Sequence, residues 1–201
     1  MSLRGLVLGT GFAGQGHTAA FRANGVEVVG MVGRTPDVLA QVAAELEIPY
    51  TSMDWGQALT DLNPDIVAIG TPGGAHVAPI LEALAHGCHI FCDKPLATTA
   101  EDANKLWLAA KDAGIKTAYA ASFRYMPDVL LAKELVAQGA IGQPQEIECI
   151  SHFNLKKLIP FGWSHTLAAG GGRLANNFVH KLSVVQHVLD GAVLALSLIH
   201  I

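Results

Sequence analysis

A short apolar run, Leu6-Val7-Leu8, leads directly into Gly9-Thr10-Gly11-Phe12-Ala13-Gly14, and an Ala-rich segment follows as far as Asn24-Gly25. This order restricts the chain more than any other part of it. The apolar run is suited to a buried parallel strand, and the segment after the glycines to a helix with a C-terminal stop. Gly9 permits a tight turn, Gly11 lets the backbone approach a pyrophosphate, and Gly14 lets helix and strand pack closely. The helix N-terminus then offers free N–H groups to phosphates. A glycine-rich turn alone carries little meaning; the strand before it and the helix after it make a dinucleotide-binding loop, with Thr10, Phe12 and Ala13 between the glycines.

The next apolar run, Val26 to Val32, ends in Gly33-Arg34-Thr35. A site for NAD wants a carboxylate here, to accept hydrogen bonds from the ribose hydroxyls. None is present. Arg34 can pair with a 2′-phosphate and Thr35 can donate to it, so the residues favour NADP(H), with NAD(H) left open. The bland alternative is that Arg34 is solvated and Thr35 only caps a helix starting at Pro36.

The alternation of strand and helix continues to about residue 120. Val38, Leu39, Val42 and Leu46 mark a helix face, Ile48-Pro49-Tyr50 a short strand, and Asp54 to Thr60 a short helix. Asp65 to Gly70 is a buried strand entering Thr71-Pro72-Gly73-Gly74. Val77, Ile80, Leu81 and Leu84 mark a helix that stops at Gly87. His89 to Cys92 is a strand ending at Asp93-Lys94-Pro95. Thr98-x-x-Glu101 reads as a capping box for a helix to Ala113-Gly114, and Lys116 to Ala120 as the last strand. Units of this length imply a doubly wound parallel sheet. Beyond residue 121 the pattern changes. A helix is expected from Asp128 to Gln138, a strand of a different sheet from Glu146 to Phe153, and a helix carrying Val179, Leu182, Val185 and Leu189. The division is therefore a dinucleotide-binding domain over 1–121 and the start of a second, incomplete α/β domain over 122–201.

Composition narrows the partners. Of 201 residues, 51% are hydrophobic and 15% charged, with a formal net charge of -4, which suits a globular chain and argues against nucleic acid. No apolar stretch is long enough to span a membrane. Cys88, Cys92 and Cys149 make no disulfide framework, and no signal peptide precedes the first strand, so a reducing cytoplasm is expected. The nine histidines lack zinc-ligand spacing, and no metal site is expected.

Four blocks together resemble the Gfo/Idh/MocA oxidoreductases: the GTGFAG loop; Thr71-Pro72 with His76; Gly87-Cys88-His89 to Asp93-Lys94-Pro95-Leu96; and Gly170-Gly171-Gly172 with His180 downstream. The resemblance implies a Rossmann domain followed by an α/β domain whose open sheet mediates oligomerisation, so the full-length form is expected to be a homo-oligomer. It also implies hydride transfer between a nicotinamide and a sugar, cyclitol or related polyol. The family's Glu-Lys-Pro is Asp93-Lys94-Pro95 here. A family Asp four residues before the histidine is Asn176, a Gly is Phe178, and an Asp three residues after the histidine is Ser183.

Lys94 is the candidate to hydrogen-bond the reacting oxygen and stabilise developing negative charge. His180 is the candidate acid/base, because imidazole titrates near neutral pH. Asn176 would face the same pocket by i,i+4 spacing and hold a substrate hydroxyl. Asp93, Thr71 and Pro72 are placed beside the cofactor, and His76 either caps its helix or touches it. Arg124, Tyr125, Trp163 and His165 either line the substrate side or pack between domains. Two other readings stay open: a nucleotide-binding regulator without catalysis, for which Asn176 is the best support, and an inactive fragment. The tail Leu196 to Ile201 resembles translated adapter text, and a truncated gene is expected.

Overall fold

The computed structural model describes residues 2–150, 162–172 and 174–191. Strands β1 (Arg4–Leu8), β2 (Glu27–Val32), β3 (Thr51–Ser52), β4 (Ile66–Ile69), β5 (His89–Cys92) and β6 (Thr117–Tyr119) form one parallel sheet in the order β3-β2-β1-β4-β5-β6. The order reverses beside β1, so a crevice opens there at the carboxyl ends of the strands. The expected doubly wound fold is present.

Alternation along the strands divides the core in two. Val7, Met31 and Ala68 point to the face covered by α1 (Phe12–Ala23) and α2 (Pro36–Glu45), where they meet Phe21, Leu39 and Val42. Leu6, Leu8, Val67, Ile69, Ile90 and Cys92 point to the other face. There they pack on α3 (Trp55–Leu62), α4 (Val77–Ala85) and α5 (Ala100–Asp112) through Leu59, Ile80, Leu84 and Leu106. Strands buried on both faces need near-continuous apolar sequence, which is what β1 and β4 have.

Several local expectations shift. Met31 N–H donates to Tyr50 O and Gly33 N–H to Ser52 O, so the third strand is Thr51–Ser52 rather than Ile48–Tyr50. Asp54 caps α3, its carboxylate accepting from the N–H groups of Gly56 and Gln57. The N-cap of α5 lies one residue later than expected: Thr99 Oγ1 accepts from Asp102 N–H and donates to the Asp102 carboxylate. Thr35 occupies the N-cap position of α2 but is exposed and makes no capping bond. Val38 is exposed, and Ala43 takes its place on the buried face of α2.

After β6, a 3-10 turn at Ser122–Tyr125 leads into α6 (Pro127–Ala137), and α7 (Val179–Leu189) packs on both. The residues before α7, Leu174–Phe178, form a wider π-helical turn. Residues 146–150 form no strand and are exposed, with no neighbouring strand among the described residues to pair with. The rest of the expected strand, 151–153, and the tail from 192 lie outside the described residues.

Candidate functional site

A cleft of about 760 Å³ runs along the carboxyl ends of the strands. Its floor is the glycine loop. Gly9 adopts φ +116°, a left-handed conformation that disfavours a side chain, and a Cβ there would lie 2.5 Å from Gly70 O. A Cβ on Gly14 would lie 1.9 Å from Gly9 O, so loop and helix can meet only through glycine. Gly11 differs: a Cβ would meet nothing within 4 Å, because this glycine faces the open cleft. It is also the N-cap of α1, with no side chain bonded to the first-turn N–H groups. A helix N-terminus aimed at open space with no cap of its own suits a pyrophosphate.

Thr10, Phe12 and Ala13 line the same floor, and Arg34 stands at the end of β2. Thr71, Pro72, Gly74 and Ala75 form the opposite wall. Thr71 Oγ1 is buried without a hydrogen-bond partner, an orphan polar atom in a residue that lines the cleft. These residues fit a dinucleotide. Met53, Trp55 and Pro79 extend the wall near Arg34. Sequence reading missed all three: Met53 and Trp55 follow a two-residue strand and Pro79 lies within α4, and nothing local marks any of them as cleft-lining. Trp55 is held in place by its indole N–H, which donates to Glu82 at 2.5 Å.

Three residues expected at the cofactor lie off the cleft surface. Gly14 works from behind, by close packing. Thr35 is exposed beyond Arg34. His76 is fully buried and neither caps α4 with its side chain nor lines the cleft. Its Nε2 lies 2.7 Å from Thr71 O, while Nδ1 lies 3.2 Å from Leu96 O and 3.4 Å from Cys92 Sγ. The Cys92 thiol also lies 3.2 Å from Asp93 O, to which it donates. Burial pushes that thiol's pKa well up, so it stays protonated and can donate. His76 thus pins the Thr71 loop to the segment after β5.

Asp93 and Lys94 bring β5 to the cleft, and the Lys94–Pro95 peptide is cis. Asp93 Oδ1 accepts from Lys94 N–H at 2.8 Å. Lys94 Nζ donates to Asn176 Oδ1 at 2.5 Å and to Asn176 O at 3.1 Å, so β5 and the turn before α7 meet at this ammonium. Burial lowers the pKa of Lys94, with the Asp93 charge opposing. His180 stacks on Phe123, ring centroids 4.3 Å apart, and its Nδ1 is buried without a partner. Burial lowers its pKa first, the Lys94 charge lowers it further, and Asp93 opposes. Lys94 and Asn176 are therefore brought together, although the π-helical turn, not a regular i,i+4 helix, carries Asn176 to Lys94; His180 feels the Lys94 charge but is bonded to neither, and neither His180 nor Asn176 is among the residues lining the cleft.

The glycine triplet has a packing role. A Cβ on Gly170 would come within 2.8 Å of Gly74 N, and one on Gly74 within 3.0 Å of Ala169 O. Backbone meets backbone there, which sets Trp163 and Ala169 over the Thr71 loop as part of the cleft. Arg124 and Tyr125 do not line it. Arg124 donates to Ser183 Oγ from Nε at 2.9 Å and from Nη2 at 2.6 Å, while Tyr125 is exposed. His165 is exposed, and its Nδ1 lies 3.1 Å from Ser164 Oγ. Among the described residues no cluster of His, Cys, Asp or Glu could hold a metal, and no helix is long and apolar enough to cross a membrane.

Residues 3–120 match the model of the oxidoreductase family with an NAD-binding Rossmann fold, and residues 129–199 match the GFO/IDH/MocA C-terminal domain. Among curated relatives, levoglucosan dehydrogenase of Pseudarthrobacter phenanthrenivorans is 27% identical over 91% of this chain and 50% of its own length. Inositol 2-dehydrogenase 3 of Saccharopolyspora erythraea is 28% identical over 99% of this chain and 57% of its own. An NAD-binding oxidoreductase from Klebsiella pneumoniae superposes with a TM-score of 0.80 at 30% identity, over 95% of this chain and 54% of that one. Levoglucosan dehydrogenase in complex with NADH and levoglucosan superposes with a TM-score of 0.83 at 26% identity, over 94% of this chain and 54% of that one. The chain thus spans about half the length of the curated relatives it matches. With both family models matched in order around a cleft built on the glycine loop and Lys94, the chain belongs to the Gfo/Idh/MocA family of oxidoreductases.

Proposed function

We propose that this protein transfers hydride between a nicotinamide dinucleotide and a hydroxyl or carbonyl carbon of a sugar, cyclitol or related polyol. The observation that carries the reading is the position of Lys94: it lines the dinucleotide cleft, and its ammonium is tied at the same time to Asn176, four residues before His180. A bound nicotinamide supplies or receives the hydride. The chain's own residues do the rest. Lys94 donates a hydrogen bond to the reacting oxygen and stabilises charge that develops on it. Burial and the Lys94 charge keep His180 neutral near pH 7, so it can take the hydroxyl proton in oxidation and return it in reduction. Asn176 orients Lys94 and offers its amide to a neighbouring hydroxyl.

Arg34 at the cleft end, with no acidic neighbour among the cleft residues there, supports a preference for NADP(H) over NAD(H). The relatives' printed activities on levoglucosan and inositol support the substrate class. The family assembly supports a homo-oligomer for the full-length protein, with 1–121 as the cofactor domain and 122 onward as the substrate domain. A screen of sugars and cyclitols with NAD+ and NADP+, followed by absorbance at the reduced-cofactor band, tests the reading. Turnover of at least one polyol is expected. Tight cofactor binding with no turnover of any would favour the second reading, a nucleotide-binding regulator, for which the neutral Asn176 beside Lys94 is the supporting observation.

A further inference from the structure

The end of the cleft beside Arg34 is apolar and partly open. Strand β3 pairs with β2 so that Ser52 stands opposite Val32, which brings Met53 to the level of Gly33, next to Arg34. Met53 and Trp55 line the cleft there and stay 60% and 37% exposed, while Pro79 of α4 completes the wall. Asp54, between them, does not line the cleft; its carboxylate accepts from the N–H groups of Gly56 and Gln57. Burying large apolar side chains is favourable, so two left open at the end of a cleft are matched to an apolar group that enters it.

Trp55 is open to the cleft and yet anchored. Its indole N–H donates to Glu82 Oε2 at 2.5 Å, and the other oxygen of that carboxylate lies over Gly56, where a Cβ would come within 2.5 Å of it. The bond runs from the first residue of α3 to α4 and fixes one edge of the ring. It also occupies the one hydrogen-bonding atom of the indole, so Trp55 offers the cleft an apolar π surface. A sugar hydroxyl or a phosphate finds no partner in Met53, Trp55 or Pro79, whereas a flat heteroaromatic ring does.

The end of β2 decides which ring. In a sheet of this kind that end meets the adenosine ribose, where a carboxylate accepts from the 2′-hydroxyl or an arginine accommodates a 2′-phosphate. Adenine sits on the neighbouring carbon of the same ribose, so a dinucleotide whose ribose meets Arg34 brings its adenine within one sugar of that side chain. We propose that Trp55 is the stacking platform for the adenine ring, and that Glu82 is a positioning residue that holds the indole for it. This inference rests on the dinucleotide reading of the cleft and is independent of the polyol chemistry.

The test is isothermal titration of the 201-residue chain with NADP+, NAD+, ADP-ribose and nicotinamide mononucleotide, in the wild type and in Trp55→Ala, Trp55→Phe, Glu82→Gln and Glu82→Leu. Loss of one base stack should weaken NADP+, NAD+ and ADP-ribose alike by about tenfold in Trp55→Ala, with Trp55→Phe keeping most of the affinity. Any affinity for nicotinamide mononucleotide should be unmoved. Glu82→Gln keeps an acceptor for the indole and should bind as the wild type does, while Glu82→Leu should fall part of the way to Trp55→Ala. The chain has three tryptophans, and in the Trp107→Phe/Trp163→Phe variant Trp55 is the one that remains. Its emission should fall on saturation with ADP-ribose, a readout that keeps the Trp55 ring in place should Trp55→Ala fail to fold. Unchanged emission, or unchanged affinity in a folded Trp55→Ala, would overturn the platform. So would a loss confined to NADP+, which would put Trp55 at the 2′-phosphate, or an equal loss for nicotinamide mononucleotide, which would put it at the other end of the cleft. The expected losses in a protein that turns over no polyol would overturn the hydride-transfer reading and leave the platform standing; turnover with binding indifferent to Trp55 would do the reverse. Failure of every adenosine ligand to bind the wild type would overturn both.

Discussion

At the residue scale, the proposed function turns on a few side chains whose surroundings set their protonation. Lys94→Ala and His180→Ala should each lower turnover on the order of 10²-fold or more while leaving cofactor binding largely intact. Near-normal turnover in His180→Ala at every pH would show that another group moves the proton. The sign of the pH effect follows from burial. The His180 pKa is lowered from its ordinary value of 6.5, so the neutral ring persists to more acidic pH than a free imidazole would. On the proposed role of His180 as base, oxidation should therefore rise with pH with a midpoint below the usual imidazole value. A midpoint above 6.5 in the pH profile of kcat/KM would contradict the environment described for His180. At the other end of the cleft, Arg34→Ala should weaken NADP(H) by about 1–3 kcal/mol more than NAD(H). Equal losses, measured by titration of each cofactor, would place Arg34 against a part of the dinucleotide that both share.

At the element scale, glycine contacts and helix caps decide what the sequence made legible. The strand–loop–helix order around Gly9 to Gly14 was readable because each glycine answers a local demand, whether a left-handed φ or a backbone contact. The strands β4 and β5 were readable because burial on both faces leaves an unbroken apolar run. The cap of α5 was misplaced by one residue, since Thr98 and Thr99 stand side by side with acids at both matching positions, and only the fold chooses between them. Thr99→Ala should then cost about 1 kcal/mol of stability in chemical denaturation, with Thr98→Ala close to neutral. The reverse order would restore the box at Thr98. His76 was misread for a different reason: its partners, Thr71 O and Leu96 O, are main-chain groups, and main-chain groups leave no mark in sequence. The pairing of Arg124 with Ser183 was equally hidden, because 59 residues separate them and the partner is a serine.

At the scale of the whole molecule, the two regions bury very different amounts of apolar surface. The sheet has a continuous core on each face, whereas α6 has no buried residue and α7 has only Ser183. Leu130, Leu131 and Leu135 of α6 are each more than two-fifths exposed. Burial is the main stabilising term in folding, so resistance to local opening should follow this division. Amide hydrogen exchange on the purified 201-residue chain should show the slowest exchange in β1, β4 and β5. Exchange in α6 should be faster by orders of magnitude, because its hydrogen bonds can open without opening the sheet. The link between regions runs through the backbone contact of Gly74 with Gly170 and through the Lys94–Asn176 bond, both at the cleft. Closing a dinucleotide into that cleft should therefore slow exchange in the turn before α7 more than in α6. Protection of α6 equal to that of β4 without cofactor would mean that its leucines are covered in solution, and that the two regions open as one cooperative unit.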